Sequence, residues 1–331
     1  MHHEFSQTLL NWFQENGREL PWRNTRDPYA IWLSEIILQQ TRVQQGWDYW
    51  ERFMRHWPTV EALAQATEDE VLLEWQGLGY YSRARNLHHA ARQIVAMGGF
   101  PTTYDAIRSL KGVGDYTAAA IGSMAFDLPK AVVDGNVYRV LARHFGISTP
   151  INSTEGKKEF SQLAQELLPP RQAATYNQAI MDFGAIQCTP QSPRCLICPL
   201  QESCLALRER RIDELPVKMR KLEVKERRLS YIYIRCKGET AIRRRGKGDI
   251  WQGLWELVDG NEFSSSESPL LLRKDVKHVL THRILLCDFY LLETEQKPLL
   301  PDGYKWVPEG MLDQYAMPRL MEILLKLLPV H

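Results

Sequence analysis

Cys188-Thr-Pro-Gln-Ser-Pro-Arg-Cys195-Leu-Ile-Cys198-Pro-Leu-Gln-Glu-Ser-Cys204 sets four thiols in one short stretch, and Pro190, Pro193 and Pro199 keep that stretch out of a helix. A chain interrupted in this way can wrap its ligands around one ion or cluster. Tetrahedral zinc sites usually pair two close Cys-x2-4-Cys knuckles, and Cys195-x2-Cys198 is the single pair of that kind here. The spacing therefore favours an iron–sulfur cluster over zinc, with plain buried thiols as the bland alternative. Cys236 and Cys287 stand apart from the group. In a reducing compartment such crowding points to metal and not to disulfides.

Outward from this stretch, the residues before it are helical in pattern. From about Phe5 to Leu207, apolar residues recur at three- and four-residue spacing with Gly and Pro punctuation. Helices are predicted over about 28–43, 67–75, 83–97, 116–126, 136–145 and 154–168, the first opened by Pro28 behind Asp27. Between Arg208 and Arg228 stand nine basic and five acidic residues with one proline, which predicts a charged interdomain linker. Beyond it the period changes to two. Leu229 to Arg235 alternates, Lys237-Gly-Glu turns and Thr240 to Arg244 returns as a hairpin; Val276 to Leu292 reads as strand. Ser264-Ser-Ser-Glu-Ser is a loop, and Pro318 opens an amphipathic helix carrying Leu320, Ile323, Leu324 and Leu327. Trp251 and Trp255, four apart, are expected on one sheet face in the core. The chain thus reads as an all-α region followed by an α+β domain.

Composition bounds the function. The 331 residues suit two domains at about 150 each, and 44% apolar with 24% charged residues excludes disorder and fibrous repeats. No apolar run approaches the roughly 18 residues of a spanning helix, and the start has neither a basic n-region nor an apolar h-region. A soluble, cytoplasmic protein without a membrane partner is expected. With 41 basic against 40 acidic residues there is no polybasic arm, so nucleic-acid binding must be local and led by shape.

Three further stretches carry chemistry. In Leu110-Lys-Gly112-Val113-Gly114-Asp-Tyr116-Thr-Ala, two glycines let backbone approach a ligand, and the amides at the start of the next helix are anion donors. The bland reading is a glycine-rich turn between packed helices. In Val132-Val-Asp134-Gly-Asn136-Val, Asp134 is a helix cap, and a cap surrounded by N–H groups is also the fixed anion that a cationic sugar intermediate needs. On the first long helix Glu35 lines up with Ile31, Trp32 and Leu38. A carboxyl on an apolar face is costly unless neutral or paired, and desolvation makes it a proton donor near neutral pH. The competing reading is a salt bridge to Arg42 or another arginine. Gln39, Gln40 and Thr41 follow, either as amides that wedge into a base stack or as solvated surface.

These residues carry a resemblance. The cysteine spacing is similar to that of the endonuclease III superfamily, where it holds a [4Fe-4S] cluster, and the Gly112–Gly114 turn resembles a helix-hairpin-helix, which grips a DNA phosphate without reading sequence. Together with Pro21-Trp-Arg, Ser34-Glu35-x3-Gln39-Gln40-Thr41 and Gly77-Leu-Gly-Tyr80-Tyr-Ser-Arg-Ala-Arg-Asn-Leu, the chain resembles the MutY-type adenine DNA glycosylases over essentially its whole length. The resemblance implies a base-excision-repair hydrolase acting on double-stranded DNA that carries A:8-oxoguanine or A:G mispairs, working as a monomer. It implies Glu35 and Asp134 as the catalytic pair with Tyr116 and Asn136 in support, and Gln40 and Tyr80 in the opened stack. Gln178 would touch the extruded adenine, and Cys188, Cys195, Cys198 and Cys204 would ligate the [4Fe-4S] cluster.

The implied domains are 1–207, a helical glycosylase domain with a six-helix region about 28–128 and a cluster region 1–27 and 129–207; then a linker, 208–228; then a Nudix-like 8-oxoguanine recognition domain, 229–331. Gly248-Asp-Ile-Trp-Gln-Gly-Leu-Trp-Glu-Leu resembles the opening strand of that last domain, without the downstream Arg-Glu-x-x-Glu-Glu run that binds magnesium. Thr281 and His282, in Val279-Leu-Thr-His-Arg, lie where the family commonly has Phe-Ser-His against 8-oxoguanine; Leu280 and Thr281 depart from that pattern, and a structural strand histidine is the alternative for His282. Bifunctional relatives carry a lysine where Tyr116 stands, and a phenol cannot form a Schiff base, so strand cleavage should be weak or absent. Two rivals remain: a pyrimidine glycosylase/lyase, and an iron–sulfur DNA-binding redox sensor that performs no chemistry.

Overall fold

The computed structural model describes residues 2–219, 225–264 and 268–329. They form two compact units, 1–64 with 89–220 and 65–88 with 221–331. The segment 65–88, expected within the helical domain, therefore groups with the strand-forming residues. Along the chain the helices are α1 (His2–Asn16), α2 (Pro28–Ile37), α3 (Val43–His56), α4 (Val60–Gln65), α5 (Glu68–Glu74), α6 (Ser82–Ala96), α7 (Tyr104–Arg108), α8 (Asp115–Phe126), α9 (Gly135–Phe145), α10 (Thr154–Leu167), α11 (Ala173–Asp182) and α12 (Leu205–Arg208). The predicted helices recur within a residue or two, except that the one expected over 28–43 is shorter. Leu38 closes α2, and Gln40 takes φ +57°, a left-handed conformation that no helix continues through.

In the first unit, α2 is buried from Tyr29 to Ile37, which makes it a central helix, not an amphipathic surface one. It packs against α8, whose Ala118, Ala119 and Ala120 allow close approach, and against α3, where the Trp50 indole donates to the Ala30 carbonyl at 2.9 Å. A second apolar cluster joins α1, α9, α10 and α11 through Phe5, Leu9, Leu141, Phe160, Ile180 and Phe183. The charged stretch after Arg208 is docked on this unit as far as Met219. Arg143 donates to the Ile212 and Leu215 carbonyls at 3.1 and 3.0 Å, and the Ile151 amide to the Val217 carbonyl at 3.0 Å. Residues 220–224 of the expected linker and 265–267 of the expected serine loop lie outside the described residues.

Among the described residues the second unit holds six strands, β1 (Lys225–Arg235), β2 (Glu239–Arg244), β3 (Trp255–Asp259), β4 (Leu270–Leu280), β5 (Arg283–Glu293) and β6 (Tyr304–Pro308), with a helix α13 (Arg319–Leu325) after them. Their order is β4-β5-β1-β3-β2-β6, with β1 and β5 parallel and the other neighbours antiparallel. Alternation sorts the side chains onto two faces. Tyr231, Tyr233, Leu285, Cys287 and Phe289 join Leu320, Met321 and Leu324 of α13, while Ile232, Ile234, Val258 and Leu292 line the other face. Truncating the fully buried Phe289 to Ala should cost about 3–5 kcal/mol, read as a lowered denaturation midpoint.

Two strand expectations change. β1 and β2 turn at Lys237-Gly238 and touch through a Cys236–Glu239 bridge, but β3 lies between them in the sheet, so they are not a paired hairpin. The strand read over Val276–Leu292 is two strands folded at Thr281-His282, with Leu280 facing Arg283. That turn carries no Gly, Asn or Pro, which hid it from sequence. Trp251 and Trp255 both pack, partly buried, against the same core face as expected, but Trp251 is not a strand residue. It sits in the turn before β3 at φ +60°, whereas Trp255 opens the strand.

Candidate active site

Glu35 is 8% exposed on α2, two residues before its end. Burial pushes its carboxyl up to about 7; the Tyr116 hydroxyl that donates to it and the Arg23 charge pull the other way, while the Asp134 charge adds to the rise. No ion pair of Glu35 occurs among the described residues, and the salt bridge to Arg42 does not form. Tyr116 stands in the first turn of α8, where burial and the two carboxylates hold its phenol in the protonated form. Its hydroxyl also lies 3.4 Å from the Met181 sulfur of α11.

Asp134 caps α9. Its Oδ1 accepts the Val137 amide at 2.8 Å, and its Oδ2 accepts Asn136 Nδ2 at 2.9 Å. Sequence alone favoured a carboxylate held firmly anionic by the helix start. Burial outweighs those hydrogen bonds, so its pKa too is raised above the ordinary aspartate value. Sequence reading missed Arg139, which sits one helical turn beyond Asn136 and donates to its Oδ1 at 2.8 Å and to the Cys188 carbonyl at 2.7 Å. The signal was the three-residue spacing from Asn136 to Arg139. It also missed Asp182, a fully buried carboxylate paired with Arg18 and Arg23. Glu35, Tyr116, Asp134 and Asn136 thus meet where α2, α8 and α9 converge.

The remaining predicted residues fall at the edges. Gln39 Nε2 lies 3.4 Å from Thr117 Oγ1, Gln40 is exposed, and Thr41 Oγ1 reaches the Gln39 carbonyl at 3.5 Å. Gln178 is half-buried on α11, one turn before Asp182. The predicted hairpin turn joins α7 to α8. Gly112 takes φ +79°, Gly114 caps α8, both are exposed, and a Cβ at Gly114 would meet only open space. Val113 between them is buried and tethers the turn to the core. A cleft of about 490 Å³ opens beside this helix between Tyr104, Tyr116, Lys130, Val133 and Tyr138, with neither carboxylate in its wall.

The four cysteines follow a turn of π-helix, Phe183–Gln187. All are half-buried and none is in a disulfide. Their charges repel one another, and burial raises the Cys198 thiol to about 11. Such a donor set needs compensating positive charge, and Arg143 supplies it: one guanidinium nitrogen lies 3.5 Å from the Cys188 sulfur and 2.7 Å from the Thr189 carbonyl. Among the described residues no three His, Cys, Asp or Glu side chains form a ready single-ion site. Four thiols in one loop beside a buried arginine are a donor set that fits an iron–sulfur cluster.

In the second unit, Tyr80 takes φ +46°, is 45% exposed, and its hydroxyl shares a hydrogen bond with Thr281 Oγ1. Thr281 and His282 form the exposed β4–β5 turn, so His282 is not a strand residue. With Trp251, Val279 and Leu280 they line a largely apolar cleft of about 470 Å³. Non-glycine residues at positive φ, as at Gln40 and Tyr80, are held against local strain and concentrate at functional sites.

Comparison with known proteins gives three family matches. Residues 33–170 match the HhH-GPD superfamily base excision DNA repair proteins, 188–204 the iron–sulfur binding domain of endonuclease III, and 230–327 the NUDIX domain. The adenine DNA glycosylase of Buchnera aphidicola from Schizaphis graminum is 35% identical over 254 residues, covering 76% of this chain and 73% of that protein. The adenine DNA glycosylase of Mus musculus is 46% identical over 213 residues, covering 61% and 41%. Among solved structures, a thermostable thymine-DNA glycosylase is 32% identical with a TM-score of 0.59, covering 63% of this chain and 97% of that one.

Proposed function

Because the chain belongs to the adenine DNA glycosylase family, we propose that it excises adenine from A:8-oxoguanine and A:G mispairs in duplex DNA, as a monomeric and monofunctional hydrolase. The observation that carries this reading is a buried carboxyl raised to about 7 beside a tyrosine. No helix of the described residues is long and apolar enough to cross a membrane.

Hydrolysis of the N-glycosidic bond needs a better leaving group and shelter for positive charge on the sugar. Glu35 enters protonated and delivers its proton to adenine N7; Asp134 then stands as the anion facing the oxocarbenium carbon, and water completes the exchange. Tyr116 donates to Glu35, and Asn136 orients Asp134. Adenine must first leave the duplex, at a cost of a few kcal/mol that a mispair lowers. The Gly112–Gly114 turn is suited to the phosphate grip, and Gln39, Gln40 and Thr41 to the opened stack. The Tyr80–Thr281–His282 cleft would take the opposing base. Gln178, three residues before Met181 on α11, is suited to contact with extruded adenine. Cys188, Cys195, Cys198 and Cys204 would hold the [4Fe-4S] cluster, which would supply a covalent cross-link to that loop.

Single-turnover excision on A:8-oxoguanine, A:G and T:G duplexes, each with and without borohydride, tests the reading. Release of adenine from the first two, none of thymine from the third, and no trapped covalent adduct are expected. A borohydride-trapped protein–DNA adduct in high yield would overturn the monofunctional assignment, and thymine release the substrate assignment.

A further inference from the structure

A buried carboxyl that enters a reaction as an acid is compromised by an unspent cation nearby, because the cation stabilises its conjugate base. Arg23, in the short helix Pro21–Arg23 packed on α2, is such a cation: its charge favours the ionised form of Glu35. Yet it makes no ion pair with Glu35. Its guanidinium is turned to Asp182, the last residue of α11, with Nη1 at 2.7 Å from Oδ2 and Nη2 at 2.8 Å from Oδ1. This fork-on-carboxylate pairing is the strongest geometry available to arginine. Nη1 also donates to the Arg18 carbonyl at 2.9 Å, while Arg18 meets the same carboxylate through its amide and its Nε, each at 2.9 Å, and through Nη2. Asp182 is 0% exposed and Arg23 11%, so water screens their pairing little.

We propose that Asp182 is a positioning residue for the excision chemistry: by clamping Arg23 it keeps the guanidinium off Glu35, so that Glu35 stays a proton donor. The proposal rests on the reading of Glu35 as the acid. It gives a physical reason for a fully buried carboxylate shared by two arginines at the edge of the site. Burial chiefly raises Glu35, with the Asp134 charge adding to the rise, and a free Arg23 would work against both; Asp182 neutralises the arginine from a fully buried position. Other charges around α2 are few. From α8 come Tyr116 and, at its exposed end, Asp115 paired with Arg108; from the start of α9 comes Asp134. From α3 come Asp48, Glu51, Arg55 and His56, all exposed, and Arg52, stacked over the Tyr49 ring at 4.6 Å. None of the α3 charges contributes to the shift at Glu35.

The test is the pH profile of single-turnover adenine excision from an A:8-oxoguanine duplex with the full-length, cluster-loaded protein. Asp182→Asn leaves Arg23 and Arg18 uncompensated, so the alkaline limb should move down by about one pH unit or more. Asp182→Glu should restore it. Arg23→Met removes the cation and should move the limb upward, which keeps the proposal testable even if Asp182→Asn does not fold. A folded Asp182→Asn variant with an unmoved limb, or an Arg23→Met variant with an unmoved limb, overturns the proposal. A uniform fall in rate at every pH is the mark of a merely structural role and overturns it as well. Failure of the underlying reading looks different, because Glu35→Gln would then still excise adenine at the wild-type rate.

Discussion

Glu35→Gln should reduce adenine excision by about 10²- to 10⁴-fold, equivalent to roughly 3–5.5 kcal/mol of barrier, while leaving duplex binding nearly unchanged. The amide has the size of the carboxyl and can still accept from Tyr116, so packing on α2 survives, but it has no proton to give. Single-turnover kinetics beside a binding titration on the same duplex separate the two effects. A variant that excises at the wild-type rate would falsify the assignment of the acid.

The pH dependence follows with a definite sign. Glu35 must be protonated to act, so excision should fall as pH rises through about 7. Asp134 must be ionised, so excision should also fall at low pH, along a limb set above the ordinary aspartate value by burial. Stability carries the same signature. The folded chain holds the Glu35 proton more tightly than the unfolded chain does, so ionising the buried carboxyl costs stability progressively from the ordinary glutamate value of 4.5 up to about 7, and constantly above. Glu35→Gln is free of that cost. It should therefore gain thermal stability relative to wild type across this window, the reverse of what loss of a structural salt bridge would do.

Much of this site is legible in sequence because it is built from local signals. Pro28 behind Asp27, the glycines at 112 and 114, and Asp134 before a periodic run each mark a helix start, and each observed helix begins within a residue of its signal. Helical periodicity aligns Glu35 with Ile31 and Trp32, but its burial is that of the whole central helix, buried from Tyr29 to Ile37. What escaped were the long-range partners. Asp182 meets Arg18 and Arg23 across more than 150 residues of chain, and nothing in Tyr176-Asn-Gln-Ala-Ile-Met-Asp announces two arginines. The order of the sheet escaped for a similar reason. A run of alternating residues fixes which face a side chain takes but not which strand lies beside it, so the insertion of β3 between β1 and β2 is a tertiary choice. The Thr281-His282 turn was hidden because its residues look like strand. The left-handed backbone of Tyr80 and Trp251 was equally silent, since bulky side chains rarely adopt it without surrounding support.

Asp134→Asn isolates the electrostatic half of the mechanism from its structural half. Asparagine is as good a helix cap as aspartate, so the bond to the Val137 amide, at 2.8 Å in the wild type, can be kept and thermal stability should change by no more than about 1 kcal/mol. The substitution removes a buried negative charge aimed at the sugar, and loss of one preorganised electrostatic contact to a developing charge costs about 10²- to 10³-fold in rate. Excision should fall by that factor, and the acid limb of the pH profile should disappear with the group that produced it. The position of the alkaline limb gives an independent check: without the Asp134 charge, which helps to raise Glu35, that limb should move to lower pH. If the variant kept wild-type excision with its cap intact, Asp134 would be a cap and nothing more. If it lost activity only by unfolding, the charge would have no demonstrated role. A stable, slow protein with a shifted alkaline limb is the outcome that requires the carboxylate to act on the reacting sugar and on Glu35 together.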